Sequence, residues 1–267
     1  MIRAAVAGAC GRMGTAIIQA METTQGIRLA GALEREGHPC LGQDAGLRAS
    51  VGEKGVTVTA DLDSIPSNVQ VLIDFTSPEG TLRNLEYCAG RGLAAVIGTT
   101  GLSEEQKEAL VMFASRTPTV FSPNMSVGVN LLFKLAARAA AVLGDAYDAE
   151  IVETHHRMKK DAPSGTALRL AEAVAQARGR DLAGSAVYSR HGMIGERSRG
   201  EIGIQTLRGG DIVGEHTLLL AGPGERLELT HRAHSRDNFA RGAVRAALWV
   251  TGKEPGLYGM DDVLGLK

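Results

Sequence analysis

Short apolar runs rich in Val, Ile and Ala alternate with amphipathic stretches through the first half of the chain, the pattern that a parallel sheet with crossover helices imposes. The runs predict strands over Ile2–Ala7, Ile27–Leu33, 69–74, Ala94–Ile97 and 119–121. Between them, 13–22 and 79–89 read as helices, and Ser103 with Gln106 forms a capping box that opens a helix toward Ser115. The glycine-dotted stretch 37–55 reads as a long loop.

An Ala- and Leu-rich helix is predicted over Val127–Leu143 and a strand over 149–154, after which the period changes. The segments 201–207, 211–220 and 225–231 alternate polar with apolar residues and are joined by Gly209-Gly210 and Gly222-Pro223-Gly224, which is turn chemistry. They predict a meandering second sheet, whose Ile202, Ile204, Leu218 and Leu220 would need covering by another subunit if they lay exposed. Helical periodicity returns over 236–250, with Phe239, Val244, Ala247 and Leu248 among its apolar positions. The expected organisation is therefore a parallel α/β domain over 1–126 and 237–267, interrupted by an inserted mixed α/β domain over 127–236.

Composition narrows the class. Aromatic residues make up only 4% and glycines number 34, which suits aliphatic packing and many tight turns. A net charge of -1 leaves no general footprint for nucleic acid. Cys10, Cys40 and Cys88 are odd in number and widely spaced, so neither a disulfide nor a structural metal site is expected. With no uninterrupted apolar run of about eighteen residues, no membrane partner is expected, and the reading is of a cytoplasmic protein.

Gly8-Ala9-Cys10-Gly11-Arg12-Met13-Gly14 joins the first strand to the first helix. Its GxxGxxG spacing is weak by itself, but its place between strand and helix is where backbone N–H groups and the helix dipole approach a pyrophosphate. Glu34, twenty residues beyond Gly14, closes the second strand, where a carboxylate accepts from adenosine ribose hydroxyls. Glutamate alone favours NADH, whereas the neighbouring Arg35 guanidinium can pair with a 2′-phosphate, so both NADH and NADPH are expected as cofactors. Phe75-Thr76, Gly98-Thr99-Thr100-Gly101 and Ser122-Pro123-Asn124-Met125 follow further strand ends, where ligands of open parallel sheets gather.

The second concentration of chemistry is Glu153-Thr154-His155-His156-Arg157-Met158-Lys159-Lys160-Asp161-Ala162-Pro163-Ser164-Gly165-Thr166-Ala167. Its histidines, Arg157, Lys159 and Lys160 stand beside a helix N-terminus, which itself attracts anions; the group reads as a carboxylate-binding constellation. Adjacent histidines in an extended segment point to opposite sides and no cysteine completes a ligand set, so no metal is expected there.

HHRMKKDAPSGTA, preceded by GACGRMG, LERE, VLIDFTSPEG, VIGTTG and SPNMSVGVN and followed by GEIGIQTLRGGDIVGEHT, resembles the 4-hydroxy-tetrahydrodipicolinate reductase family of the diaminopimelate and lysine pathway. The resemblance runs in order over essentially the whole chain and departs from the family pattern at Pro123, Met125 and Met158. It implies a Rossmann-type NAD(P)-binding domain with an inserted domain for substrate binding and tetramerisation, and hence a homotetramer. It implies that Gly8, Ala9, Cys10, Gly11, Arg12 and Met13 bind the pyrophosphate, Glu34 and Arg35 the adenosine end, and Gly98, Thr99, Thr100, Ser122, Pro123, Asn124 and Met125 the nicotinamide half. It further implies acid–base roles for His155 and Lys159, and that His156, Gly165 and Thr166 hold the carboxylates of a cyclic dicarboxylate substrate.

Lys159 is the preferred proton donor, with His155 either a general acid or an orienting partner. An acylating aldehyde dehydrogenase would need a cysteine facing the nicotinamide, yet Cys10 lies in the phosphate turn and Cys40 and Cys88 in a loop and a helix. A non-catalytic dinucleotide sensor would have no use for the basic loop.

Overall fold

Strand β1 (Ile2–Ala7) turns Ala4 and Val6 to one side of a sheet and Ala5 and Ala7 to the other, and all four are buried. A strand with two covered faces needs helices on both, and the order of elements supplies them. In this computed structural model, which describes residues 1–266, β1 is followed by α1 (Arg12–Glu22), β2 (Ile27–Leu33), α2 (Ala45–Arg48) and β3 (Val58–Thr59). Then come β4 (Val71–Asp74), α3 (Pro78–Arg91), β5 (Ala94–Ile97), α4 (Glu104–Ala114), β6 (Pro118–Phe121) and α5 (Val127–Leu143). The middle of the chain forms β7 (Asp148–His155), α6 (Gly165–Ala177), β8 (Ala186–Val187), β9 (Ile202–Arg208), β10 (Gly214–Gly222) and β11 (Glu225–Ala233). The end forms α7 (Asp237–Val250), β12 (Gly256–Tyr258) and α8 (Met260–Leu264).

Two compact units result, one from Met1–Val127 and the residues from Arg236 onward, the other from Gly128–Ser235. The first holds a seven-stranded, wholly parallel sheet in the order β12-β6-β5-β4-β1-β2-β3. One face packs on Ile17, Ile18 and Met21 of α1 with Ala243, Val244 and Ala247 of α7; the other packs on Leu85 and Cys88 of α3 and Leu110 of α4. Strand order reverses between β1 and β4, the crevice where open parallel sheets of this Rossmann type take their ligands. The stretch 37–55 is less irregular than its glycines suggest: it holds α2, capped by Asp44, whose carboxylate accepts from Leu47, Lys54 and Val56 amides.

The second unit holds a five-stranded sheet in the order β11-β10-β7-β9-β8. It is mixed rather than a meander: β10 and β11 form the hairpin that Gly222-Pro223-Gly224 announced, but β7 lies between β9 and β10, parallel to the first and antiparallel to the second. Alternation along a strand fixes which face a residue takes, not which strand stands beside it, so the pattern could not reveal this order. Ile202, Ile204, Leu218 and Leu220 lie at 0–1% exposure against Leu132 and Ala136 of α5 and Leu170 and Val174 of α6. They give no argument for a partner subunit.

Helix α5 with its short extension, Val127–Ala146, has the length and apolar composition of a membrane span, with a mean hydropathy of 1.5, although charged side chains interrupt it. Its Leu132, Ala136 and Ala140, one helical turn apart, belong to the second unit's core, while Leu131, Leu135 and Val142 are exposed.

Helix α7 reaches the turn after β6 at Gly242, where an added Cβ would stand 1.7 Å from the Met125 carbonyl oxygen. Alanine there would gain up to about 1 kcal/mol of helix propensity but drive the helix off the backbone, an overpacking cost of about 1–3 kcal/mol. Gly242→Ala is therefore expected to lower stability in urea unfolding. An unchanged or raised midpoint would show that α7 does not approach Met125 so closely.

Candidate functional site

In the first unit the glycine turn is shaped by contacts, not only by permissive torsions. Gly8 has φ +74°, and a Cβ on it would stand 2.9 Å from the Phe75 carbonyl oxygen, so the turns after β1 and β4 touch backbone to backbone. A Cβ at Gly14 would fall 2.1 Å from the Gly8 carbonyl oxygen, which is how closely α1 lies on the turn. Gly8 and Ala9 N–H groups donate to the Leu33 carbonyl, Gly11 N–H to that of Gly8, and Cys10 N–H to the Glu34 carboxylate at 3.2 Å. Those four amides are spent inside the turn. The amides that remain for an anion are the first of α1, at Arg12, Met13 and Gly14, whose cap Gly11 offers no side chain.

A cavity of ≈ 300 Å³ opens beside the turn, lined by Gly8, Gly11, Glu34, Arg35, Phe75 and Arg83 among others. Its far wall depends on Asp74, which accepts from the Thr76 amide and hydroxyl at 2.9 and 2.7 Å and from Asn84 at 2.8 Å. Thr81 and Thr99 hydroxyls complete the group, tying α3 and the Gly98–Thr100 turn to the end of β4. Burial pushes the Asp74 carboxyl above the usual range, and its hydrogen bonds, all from neutral donors, do not offset this. The Phe75 ring lies on Gly98, where a Cβ would come within 2.2 Å of it. In the turn after β6, Ser122 Oγ donates to the Asn124 carbonyl at 2.8 Å and Asn124 Oδ1 accepts from the Ser126 amide at 2.9 Å.

In the second unit the inward row of β7 runs Ala149, Ile151, Glu153, His155: apolar where the strand starts, polar where it ends. Glu153 is fully buried. Its carboxylate accepts a bidentate pair from Arg208 at 2.9 Å each, the Ser164 amide at 3.0 Å, the Thr206 hydroxyl at 3.3 Å and His155 Nδ1 at 2.5 Å. Burial pushes the Glu153 carboxyl up, but Arg208, His155 and the Ser164 amide outweigh it and hold it below the usual range. His155 is lowered by burial, with Lys159 and Arg208 adding to the effect against Glu153, which leaves it neutral at pH 7. A neutral imidazole donating from Nδ1 to a carboxylate keeps Nε2 as an acceptor, and that nitrogen lies against Gly214.

Ser164 caps α6, its hydroxyl accepting from the Ala167 amide at 3.1 Å, so Gly165 and Thr166 are the first two helical residues, at the positive end of the dipole. Lys159 pairs with Asp161 at 2.9 Å, and Arg208 Nη2 also donates to the Asp161 carbonyl at 2.7 Å, fixing the loop between strand and helix. His216 of β10, opposite Glu153 in register, sets its Nε2 3.0 Å from Ser164 Oγ and its ring edge-on to His155 at 5.2 Å.

Residues 2–125 match the family model described as dihydrodipicolinate reductase, N-terminus, and residues 128–264 match dihydrodipicolinate reductase, C-terminus. The chain belongs to the dihydrodipicolinate reductase family. It is 58% identical to the 4-hydroxy-tetrahydrodipicolinate reductase of Syntrophotalea carbinolica and 55% identical to that of Geotalea uraniireducens, over 100% of both chains in each case. Among solved structures, the dipicolinate-bound dihydrodipicolinate reductase of Paenisporosarcina sp. TG-14 is 27% identical, with a TM-score of 0.77 over 97% of each chain. GenD2 from gentamicin A biosynthesis, in complex with NAD, shares the fold at 15% identity and a TM-score of 0.62, over 99% of this chain and 90% of its own.

Of the residues that the sequence singled out, this member of the dihydrodipicolinate reductase family gathers Gly8, Gly11, Glu34 and Arg35 on one cavity of its first unit, while the turns at Gly98–Thr100 and Ser122–Met125 end neighbouring strands without lining it. His155, His156, Lys159, Gly165 and Thr166 share one strand, loop and helix start in the second. One expectation is overturned. Cys10 and Cys40 form a disulfide, because the glycine turn and the loop after β2 meet beside Glu34, a proximity that a separation of 30 residues concealed. The sequence reading also missed Arg83, Arg208 and His216, and gave Glu153 no role although its place two residues before His155 on one strand face was the available signal.

Burial drives the His216 imidazole down to about 3, so the folded chain binds fewer protons there than the unfolded chain, whose value is near 6.5. That contribution to stability is complete above pH 6.5 and is lost as pH falls toward 3. Urea unfolding is expected to show a loss of up to about 1.4 kcal/mol per pH unit from this residue below its unfolded value, and His216→Gln to flatten the profile. An equal slope in the variant would show that His216 is not buried as a neutral ring.

Proposed function

We propose that this chain reduces 4-hydroxy-tetrahydrodipicolinate to tetrahydrodipicolinate with NADH or NADPH, a step of diaminopimelate and lysine biosynthesis. The observation that carries the reading is the basic loop from His155 to Lys160, which runs directly into the N-terminus of α6 and so assembles an imidazole, an ammonium and a helix dipole suited to a small dicarboxylate. Relatives named for this activity match the chain end to end, and the dipicolinate carried by the Paenisporosarcina structure is a ligand of the same chemical class.

The first unit, 1–126 with 237–267, is assigned to the dinucleotide. Its crevice at the strand reversal, and a turn where a Cβ on Gly8 would collide with backbone, fit a pyrophosphate held close to main chain. Arg12 and Met13 amides would hold the phosphates within the turn Gly8–Met13, Glu34 and Arg35 the adenosine ribose, and the turns Gly98–Thr100 and Ser122–Met125 the nicotinamide half. When bound, the nicotinamide supplies the hydride. The second unit, 127–236, is assigned to the substrate and to assembly as a homotetramer in the cytoplasm. His156, Gly165 and Thr166 would hold its carboxylates.

The Glu153 contact supports a division of labour between the two candidate acids. His155, neutral and donating from Nδ1 to Glu153, has no proton on Nε2 to give and serves as a fixed acceptor. Lys159, ion-paired with Asp161, carries the proton and delivers it to the ring.

The test is loss of nicotinamide absorbance when the purified protein receives the condensation product of aspartate semialdehyde and pyruvate. Oxidation that depends on that product supports the reading; none with either dinucleotide, from protein shown to bind one, overturns the substrate. Lys159→Ala is expected to lower kcat by about 10²–10⁴ while dinucleotide affinity stays constant, and full kcat would remove Lys159 as donor. Arg35→Ala is expected to lower kcat/KM about tenfold with NADPH, the worth of one charge-assisted hydrogen bond, and to spare NADH. Equal losses with both would assign Arg35 to structure instead of the 2′-phosphate.

A further inference from the structure

We propose that Cys10, Glu34, His38 and Cys40, once the disulfide is reduced, form a tetrahedral site for a zinc-class divalent cation. Their ligand atoms, two sulfurs, an imidazole nitrogen and a carboxylate oxygen, all lie within 4.8 Å of one another. That mixture of thiolate, imidazole and one carboxylate suits zinc and its borderline neighbours, not magnesium or calcium, which take oxygen ligands.

The imidazole decides between a site and a plain disulfide. Cys40 N–H donates to His38 Nδ1 at 3.3 Å, so that nitrogen is the unprotonated one, the form that ligates a metal once its single lone pair leaves this long contact. The same nitrogen stands 2.9 Å from Cys40 Sγ. Against a disulfide sulfur, which has no proton, that approach brings two lone pairs together. Against a thiol it is a hydrogen bond, and a tetrahedral cation would part the two atoms to about 3.5 Å, a shift of well under 1 Å. The Glu34 carboxylate is aimed by main chain, accepting from the Cys10 and Arg35 amides at 3.2 and 3.0 Å, as the outer contacts of ligating carboxylates are. Cys40 is 2% exposed while the other three are half-buried, which gives the cation an entry.

Reduction breaks the S–S bond and forms two S–H groups, with both electrons and both protons coming from a dithiol that closes to its own disulfide. The cation then displaces both thiol protons to solvent. Zinc–sulfur bonds of about 2.3 Å set the sulfurs about 3.8 Å apart in a tetrahedron, within reach of side chains whose Cα atoms are 6.8 Å apart.

Full-length protein is reduced anaerobically with a phosphine, and thiols are counted in denaturant: three report the open pair and one the disulfide. Cobalt(II) chloride is then titrated in. The expected result is one cobalt per chain, with the intense visible bands and sulfur-to-cobalt charge transfer of a tetrahedral thiolate site, displaced by zinc. Cys40→Ser and His38→Ala, checked for folding by circular dichroism, are each expected to weaken cobalt at least about tenfold, and Cys40→Ser to lose charge-transfer intensity. Reduced protein that takes up no cobalt, a pair that opens only in denaturant, or equal uptake by the oxidised chain would each overturn the site and leave a structural disulfide. The spectrum reads the cation whether or not the chain binds a dinucleotide, so the two readings fail separately.

Discussion

The second unit is organised around a carboxylate that never meets water. Glu153 accepts from His155 on its own strand, from the first turn of α6 through Ser164, and from Thr206 and Arg208 on β9. One side chain thus sets the tilt of the imidazole, the starting point of the helix dipole and the end of a neighbouring strand. Burying a carboxylate costs several kcal/mol, and the interaction persists because Arg208 brings a full opposite charge in bidentate geometry. Truncating either partner would leave the other charge stranded, a loss of about 3–5 kcal/mol.

The first unit contains the opposite solution. Asp74 is as deeply buried, but its donors are hydroxyls and amides, and burial wins: its carboxyl is displaced upward where that of Glu153 is displaced downward. Asp74 serves geometry, pinning the turns after β4 and β5 to α3, so that the wall of the cavity is rigid. The same functional group, a buried carboxyl, therefore supplies a charged anchor in one unit and a hub of hydrogen bonds in the other, according to whether a guanidinium is within reach.

The sequence was legible where a property is local. Strands β1, β2 and β5 and helix α5 begin and end where hydrophobic periodicity places them, and the Ser103–Gln106 capping box forms as its spacing requires. What depends on neighbours was hidden. The insertion of β7 between β9 and β10 leaves no trace in the alternation of any one strand, and neither does the meeting of Cys10 with Cys40. The basic loop could be read because its residues are consecutive, whereas the side chains that position it come from β7, β9 and β10 and converge only after three strands have aligned.

The last strand of the parallel sheet, β12, pairs with β6, and α7 covers the face that β1, β4 and β5 share. Both are made from residues that leave the ribosome after the whole second unit. The second unit, one continuous segment, has every strand it needs once residue 233 is made; the first must wait with its sheet edge and one apolar face open until residues 237–258 follow. During translation the nascent chain thus presents the edge of β6 and the face under the missing α7 as its surfaces for misassociation.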